Sequence, residues 1–292
     1  MTTVPVRRPV DGERASQFRR FARRFARNQG AVAGTVILLL LVIVAVIGPF
    51  LVRDGTIQNV PQRLSPPSAE YWFGTDDLGR DIFARVVRGA PISLAAGIIS
   101  VAIGLALGLT IGVVAGYREG RVGLGLMALV DLLLALPAIL LAITVAARVG
   151  AGLPAAMLAA GLVGLPAYAR LTRASTLAIK RQEMVEAARA MGASDSRIVS
   201  RHIVPNVLTP LIVQSTIGVG NAILLVSALG FLGLGAQPPT PEWGRMLADA
   251  QRYVLNAPYI GIFPGLAISL TVLGFNLMGD GLRDALDPTG NR

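Results

Sequence analysis

The chain has 292 residues, of which 53% are hydrophobic and 15% charged, against roughly 25% charged in an ordinary soluble domain. That deficit argues against a water-soluble enzyme. The 27 Lys plus Arg outnumber the 17 Asp plus Glu for a formal net charge of +10, but they sit between long apolar runs instead of forming the basic stripe of a nucleic-acid binder. The absence of Cys excludes disulfides, thiolate metal sites and cysteine catalysis.

The apolar residues are gathered into uncharged blocks of about 20 or more, the length that crosses a bilayer as a helix. Residues 1–30 precede the first block and carry Arg7, Arg8, Arg14, Arg19, Arg20, Arg23, Arg24 and Arg27, with Phe18, Phe21 and Phe25 at spacings of three and four. This segment reads either as an amphipathic helix lying on anionic headgroups or as a topogenic charge cluster. The first apolar run, 31–52, is too long for the core of a signal peptide and no small-residue cleavage site follows it, so it reads as a retained span. Five more runs follow at 89–116, 122–147, 150–169, 207–235 and 258–279, with polar stretches at 53–88, 170–206 and 236–257. The expected fold is an all-α integral membrane protein with six transmembrane helices. Six crossings put both termini on one side, and nineteen of the 27 basic residues fall on that side, which the positive-inside rule makes the cytoplasm.

Gly104, Gly108, Gly112 and Gly116 recur every four residues in the second run. Such a face lets another helix backbone approach closely, either within the chain or at a subunit interface. Asp131 is the carboxylate well inside an apolar run. It reads either as a coupling group of a transporter working alone or as one half of a pair at a helix interface. A phosphate-binding G-x-x-x-x-G-K-[ST] loop, H-E-x-x-H and G-x-S-x-G are all missing, and the single histidine, His202, cannot build an imidazole cluster.

The informative stretch is 170–206. Met184, Ala187, Ala188 and Met191 fall on one helical face, with Glu183, Glu186 and Arg189 elsewhere. Gly192 permits a bend, Ser194 or Asp195 can cap a second helix through Arg197, Ile198 and Val199, and Pro205 is expected to end it. The product would be a bent helical pair outside the membrane, with an apolar knob and charged flanks, suited to a groove on a soluble partner.

Glu186-Ala187-Ala188, three residues, Gly192, nine residues and then His202-Ile203-Val204-Pro205 resemble the EAA loop of permease subunits of ABC importers, EAA-x3-G-x9-I-x-L-P. His202 and Val204 stand where that pattern has Ile and Leu. Phe73-Gly74-Thr75-Asp76-Asp77-Leu78-Gly79-Arg80-Asp81 is similar to the FGTD-x-x-GRD signature of the second permease of the dipeptide, oligopeptide and nickel importers. Residues 231–244, FLGLGAQPPTPEWG, and 276–288, NLMGDGLRDALDP, resemble two further segments of that subgroup. Each string alone also suits an ordinary turn or helix; their joint occurrence in order carries the resemblance.

The resemblance implies the transmembrane domain of a type I ABC importer, with residues 89–283 as a five-helix core, a coupling loop at about 180–206 and cytoplasmic segments at 1–30 and 284–292. It implies a bacterial inner-membrane assembly with a second permease, two ATPase subunits and an extracytoplasmic binding protein that meets 53–88 and 236–257. ATP and Mg would belong to the ATPases, and this chain would bind no cofactor or metal and catalyse nothing. The loop residues Glu186, Ala187, Ala188, Arg189, Met191, Gly192, Arg197, His202 and Pro205 would dock on the ATPase. Gln214, Thr216, Asn221 and Ser227 of the fifth span would line the pathway, although such polar groups also serve helix–helix bonding. Peptides lead as substrate class, with nickel complexes, glutathione or another small solute as alternatives. A purely structural membrane scaffold is a further rival.

Overall fold

The computed structural model describes residues 22–286. Helix α1 (Gln29–Leu51) starts at Asn28, whose side chain accepts from the Ala31 N–H. A loop with one 3-10 turn (Val60–Gln62) leads to α2 (Ile82–Arg118), capped by Asp81 through the Ala84 N–H. There follow α3 (Gly120–Leu134), α4 (Ala138–Val149) and α5 (Leu153–Lys180). The polar connection holds α6 (Glu183–Ala190) and α7 (Asp195–Ile198), and a π turn (Val199–Ile203) leads into α8 (Val204–Phe231). A short helix α9 (Trp243–Ala250) and a 3-10 turn (Gln251–Tyr253) precede α10 (Tyr259–Leu286).

The glycine face of α2 packs inside the chain. A Cβ on Gly104 would come 2.7 Å from the Gly161 carbonyl oxygen, one on Gly108 2.9 Å from the Ala169 nitrogen, and one on Gly112 2.6 Å from the Ala169 oxygen. The fourth, on Gly116, would come 3.0 Å from the Arg173 oxygen. Numbers on α2 and α5 rise together along this seam, so the two helices run parallel. Of the two readings of the stripe, the structure selects contact between helices of one chain.

Parallel packing also fixes the count of crossings. Lys180, at the end of α5, reaches the Tyr117 carbonyl at the end of α2, whereas Gly152, just before α5, bonds to the Leu234 carbonyl beyond α8. The chain therefore travels from the first end of the bundle to the second between Arg118 and Leu153. It does so through α3 and α4, which meet at an angle of 94°, so the third expected span is a broken crossing instead of a straight helix. The break falls at Leu136-Pro137, where proline lacks a donor and disfavours the helical conformation before it. Among the described residues five helices are long and apolar enough to cross a membrane, and the bent pair counted as one span makes six. Asn28 Nδ2 donates to Asp284 Oδ2 at 3.0 Å, which places the entry of α1 and the exit of α10 at the same end, as an even count requires.

Helix ends differ from expectation by continuing into polar sequence. α5 extends to Lys180 and α10 to Leu286, past the expected ends at 169 and 279. Pro205 does not end a helix; the helical backbone runs on through it, from the π turn into the first turn of α8. The expected amphipathic segment at 1–21 and the tail at 287–292 lie outside the described residues.

Candidate functional site

The loop between α5 and α8 is built onto the bundle by its apolar side. Val185, Ala188, Ile198 and Ile203 are buried in a cluster with Ile179 and Val207. Gly192 has φ +79, with nothing within 4 Å of the position a Cβ would take, so it is needed for the left-handed turn and not for close packing. Glu186, Ala187, Arg189, Met191, Gly192, Arg197 and Pro205 are exposed, Met191 at 82%, and His202 is half-buried. Ala188 departs from the expected knob: it is 4% exposed and faces this chain's own core. The outward face is Met184, Ala187 and Met191, because Val185 and Ala188 share the inward side of so short a helix. Neither expected cap of α7 closes. Ser194 makes no side-chain cap bond, and the Asp195 carboxylate instead accepts from Tyr117 Oη at 2.5 Å.

Two clefts follow α8. One, of about 240 Å³, is lined by Gln214, Gly218, Asn221 and Leu225 of α8 with Ser100 of α2 and Tyr168 of α5 among others. The other, of about 510 Å³, is lined by Thr209, Val213, Gln214 and Ile217 with Arg283 of α10. Gln214 lines both, so the two clefts adjoin along one side of α8, its groove side. Thr216 and Ser227 lie away from it: both are buried, and Thr216 Oγ1 donates to the Ile212 carbonyl of its own helix. The Thr216 bond stays within its own helix and joins no second one, whereas Gln214 and Asn221 face the clefts.

Asp131 meets Arg170 Nη2 at 2.6 Å, the side chains being 58% and 57% exposed. This is the pairing reading of that carboxylate.

At the opposite end, the F-G-T-D motif is a folding device. Asp76 Oδ1 accepts from the Leu78 and Arg80 N–H groups while Oδ2 holds Arg80 Nε at 2.6 Å and Arg85 Nε at 3.6 Å. Arg85 Nη1 then reaches the carbonyls of Gly55 and Pro239, tying both loops at that end together. Asp77 is held above the usual carboxylate range by burial and by Asp76 beside it. In the P-E-W-G motif, Glu242 is fully buried and caps α9 by accepting from Gly244 N and Arg245 N at 2.9 Å each. Burial pushes its carboxyl up, against the hydrogen bonds that hold it down. Trp243 Nε1 donates to the Val86 carbonyl at 2.9 Å, fastening α9 to α2.

Residues 108–290 match the family described as binding-protein-dependent transport system inner membrane component, and residues 16–67 match the N-terminal transmembrane domain of oligopeptide transport permease C. The chain belongs to this family of inner-membrane transport components. It is 44% identical over 291 residues to the dipeptide transport system permease protein DppC of Alkalihalophilus pseudofirmus, covering 99% of this chain and 96% of that one. It is 46% identical over 290 residues to the glutathione transport system permease protein GsiD of Pectobacterium atrosepticum, with the same coverage of 99% and 96%. The fold matches a chain of the inward-facing MetNI methionine ABC transporter with TM-score 0.57 at 24% identity, over 70% of this chain and 98% of that one. This permease is accordingly a membrane subunit of an ABC importer with the type I fold, and the recognition of its motifs holds along the chain.

Sequence reasoning missed Tyr117 and Lys180. Lys180 is the one lysine in the chain, which marks it only in hindsight, and Tyr117 stands just past the end of an apolar run without any spacing signal.

Proposed function

We propose that this permease forms half of the translocation pathway of an ATP-driven importer of small peptides, with the end holding Asn28, the 183–205 loop and Leu286 in the cytoplasm. One observation carries the docking role: the loop spends its apolar residues Val185, Ala188 and Ile198 on its own bundle and still presents Met184, Ala187 and Met191 outward, with Glu186, Arg189 and Arg197 around them. The chain's sequence holds no phosphate-binding loop, so ATP and Mg would be handled by two ATPase subunits that receive this knob. The groove along α8, with Gln214 and Asn221, would be this chain's share of the passage, opposite a second permease. The loops at 53–88 and 236–257 would receive the extracytoplasmic binding protein.

Peptides are favoured because one relative is named for dipeptides and another for glutathione, itself a tripeptide. The cleft at Asn221 has a mostly apolar lining in which Ser100, Tyr168, Gln214 and Asn221 are the polar groups, with no charged side chain. Such a wall can meet peptide amides without reading particular side chains, which fits selectivity residing in the binding protein.

The test is purification of the tagged chain from its native membrane in mild detergent, followed by ATPase and uptake assays on wild type and Gly192→Glu. Recovery of an ATPase pair and a second permease, with hydrolysis and uptake uncoupled in the variant, is the expected result. Recovery of the chain alone, transporting in liposomes without ATP, overturns the proposal.

A further inference from the structure

We infer that Tyr117 and Asp195 form a latch through which α2 carries movement of the ATPase-docking loop to the opposite face of the membrane; this rests on the docking role proposed above. Tyr117 lies in the last turn of α2, and its hydroxyl donates to Asp195 at 2.5 Å across 78 residues of sequence. Lys180 closes the same corner, donating to the Tyr117 carbonyl and to Glu119 Oε1, each at 2.7 Å, and lying 5.2 Å from the Tyr117 ring centre. Glu119 itself has φ 45, a conformation unusual for a residue with a side chain, and Lys180 holds it at the α2–α3 turn. The inner end of α2 is therefore fastened to the start of α7 and to the end of α5.

The other end of α2 is fastened as firmly. Arg85 bonds to Gly55 and Pro239, Val86 accepts from Trp243, and Ser93 Oγ lies between Glu242 Oε1 at 3.4 Å and Trp243 N at 3.2 Å. With 37 residues, α2 is about 55 Å long. It is a single helix bonded at one end to the docking loop and at the other to both loops that would face the binding protein. A packed helix transmits displacement as a body, so a bond holding one end to the loop decides whether loop and helix move together. Tyr117 and Asp195 act here as positioning residues; neither needs to touch ATP or substrate.

The experiment uses the whole importer in lipid nanodiscs and measures ATP hydrolysis without and with its binding protein, using dialanine and glutathione as peptide probes. Tyr117→Phe keeps the ring beside Lys180 and removes only the hydroxyl. It is expected to assemble with the ATPases, keep basal hydrolysis and lose about fivefold of the stimulation, the scale of one hydrogen bond. Asp195→Ala should match it, the double variant should fall no further, and Asp195→Asn, which retains an acceptor oxygen, should recover most of the response. Wild-type stimulation in Tyr117→Phe, or additive losses in the double variant, would overturn the latch. Failure of wild type to bring down any ATPase would instead overturn the docking role itself, so the two failures are distinct.

Discussion

Arg170 and Asp131 face each other at 2.6 Å across α5 and α3, each more than half exposed on the bundle surface. Arg170 is the first residue beyond the fourth apolar run, so the pair sets Asp131 level with the edge of that run. A carboxylate so placed is neutralised by a guanidinium beside it. Asp131→Asn is expected to leave peptide uptake within about twofold of wild type and to change stability by no more than about 1 kcal/mol, the range of an exposed pair. Uptake measured in membrane vesicles decides this. Abolition of ATP-dependent uptake would restore Asp131 as a coupling group.

On the proposed docking role, substitutions at Ala188 and Met191 are expected to separate folding from docking. Ala188→Glu forces a charge into the cluster of Val185, Ile198 and Ile203 and is expected to lower the amount of folded permease in the membrane, an unpaired buried charge costing several kcal/mol. Met191→Asp, on a residue 82% exposed, should leave the permease level unchanged and reduce the ATPase recovered with it. Quantitative blotting of both subunits after purification reads the two effects apart.

The seam between α2 and α5 admits no added methyl group at Gly112, where a Cβ would lie 2.6 Å from the Ala169 oxygen. Gly112→Ala should destabilise the permease by about 1–3 kcal/mol, and Gly112→Leu should abolish accumulation. Thermal unfolding in detergent measures the first, whereas Gly125→Ala, at a glycine with nothing within 4 Å, is the neutral control.

Glu242 gives the permease a pH dependence of known sign. Its folded pKa is raised, chiefly by burial, so the protonated carboxyl is favoured in the fold. That contribution is fully present below the ordinary glutamate value and is lost as pH rises through the raised one. Thermal stability is therefore expected to decline across that window in wild type, and Glu242→Gln, which cannot ionise and keeps one acceptor oxygen for only one of the Gly244 and Arg245 N–H groups, should flatten the decline while lowering stability at every pH. Unfolding curves at a series of pH values test it.

The apolar blocks were legible as spans because length and the absence of charge are sufficient signals in lipid. The loop at 183–205 was legible because Gly192 and the short helix around it obey local rules. Proline was the less readable residue. Pro49, Pro91, Pro166, Pro210 and Pro264 all lie inside continuous helices, whereas Pro137 stands at a 94° break, and only the surrounding packing distinguishes them. The same holds for Ala188 and for Thr216. Each has its type and spacing in the sequence, but the side it faces is set by what packs against it. Asp195 looked like a cap because local chemistry allowed one, and a partner 78 residues away took its carboxylate instead.

The right angle between α3 and α4 has a consequence for how this passage sits in the bilayer. With 15 and 12 residues, the two helices measure about 22 Å and 18 Å, each short of the roughly 30 Å hydrocarbon thickness. Their junction leaves backbone groups around Leu136 outside a continuous helical ladder, and lipid offers such groups no partner. A passage built this way is expected to need a protein wall in the bilayer, which α5 supplies together with Arg170, the partner of Asp131.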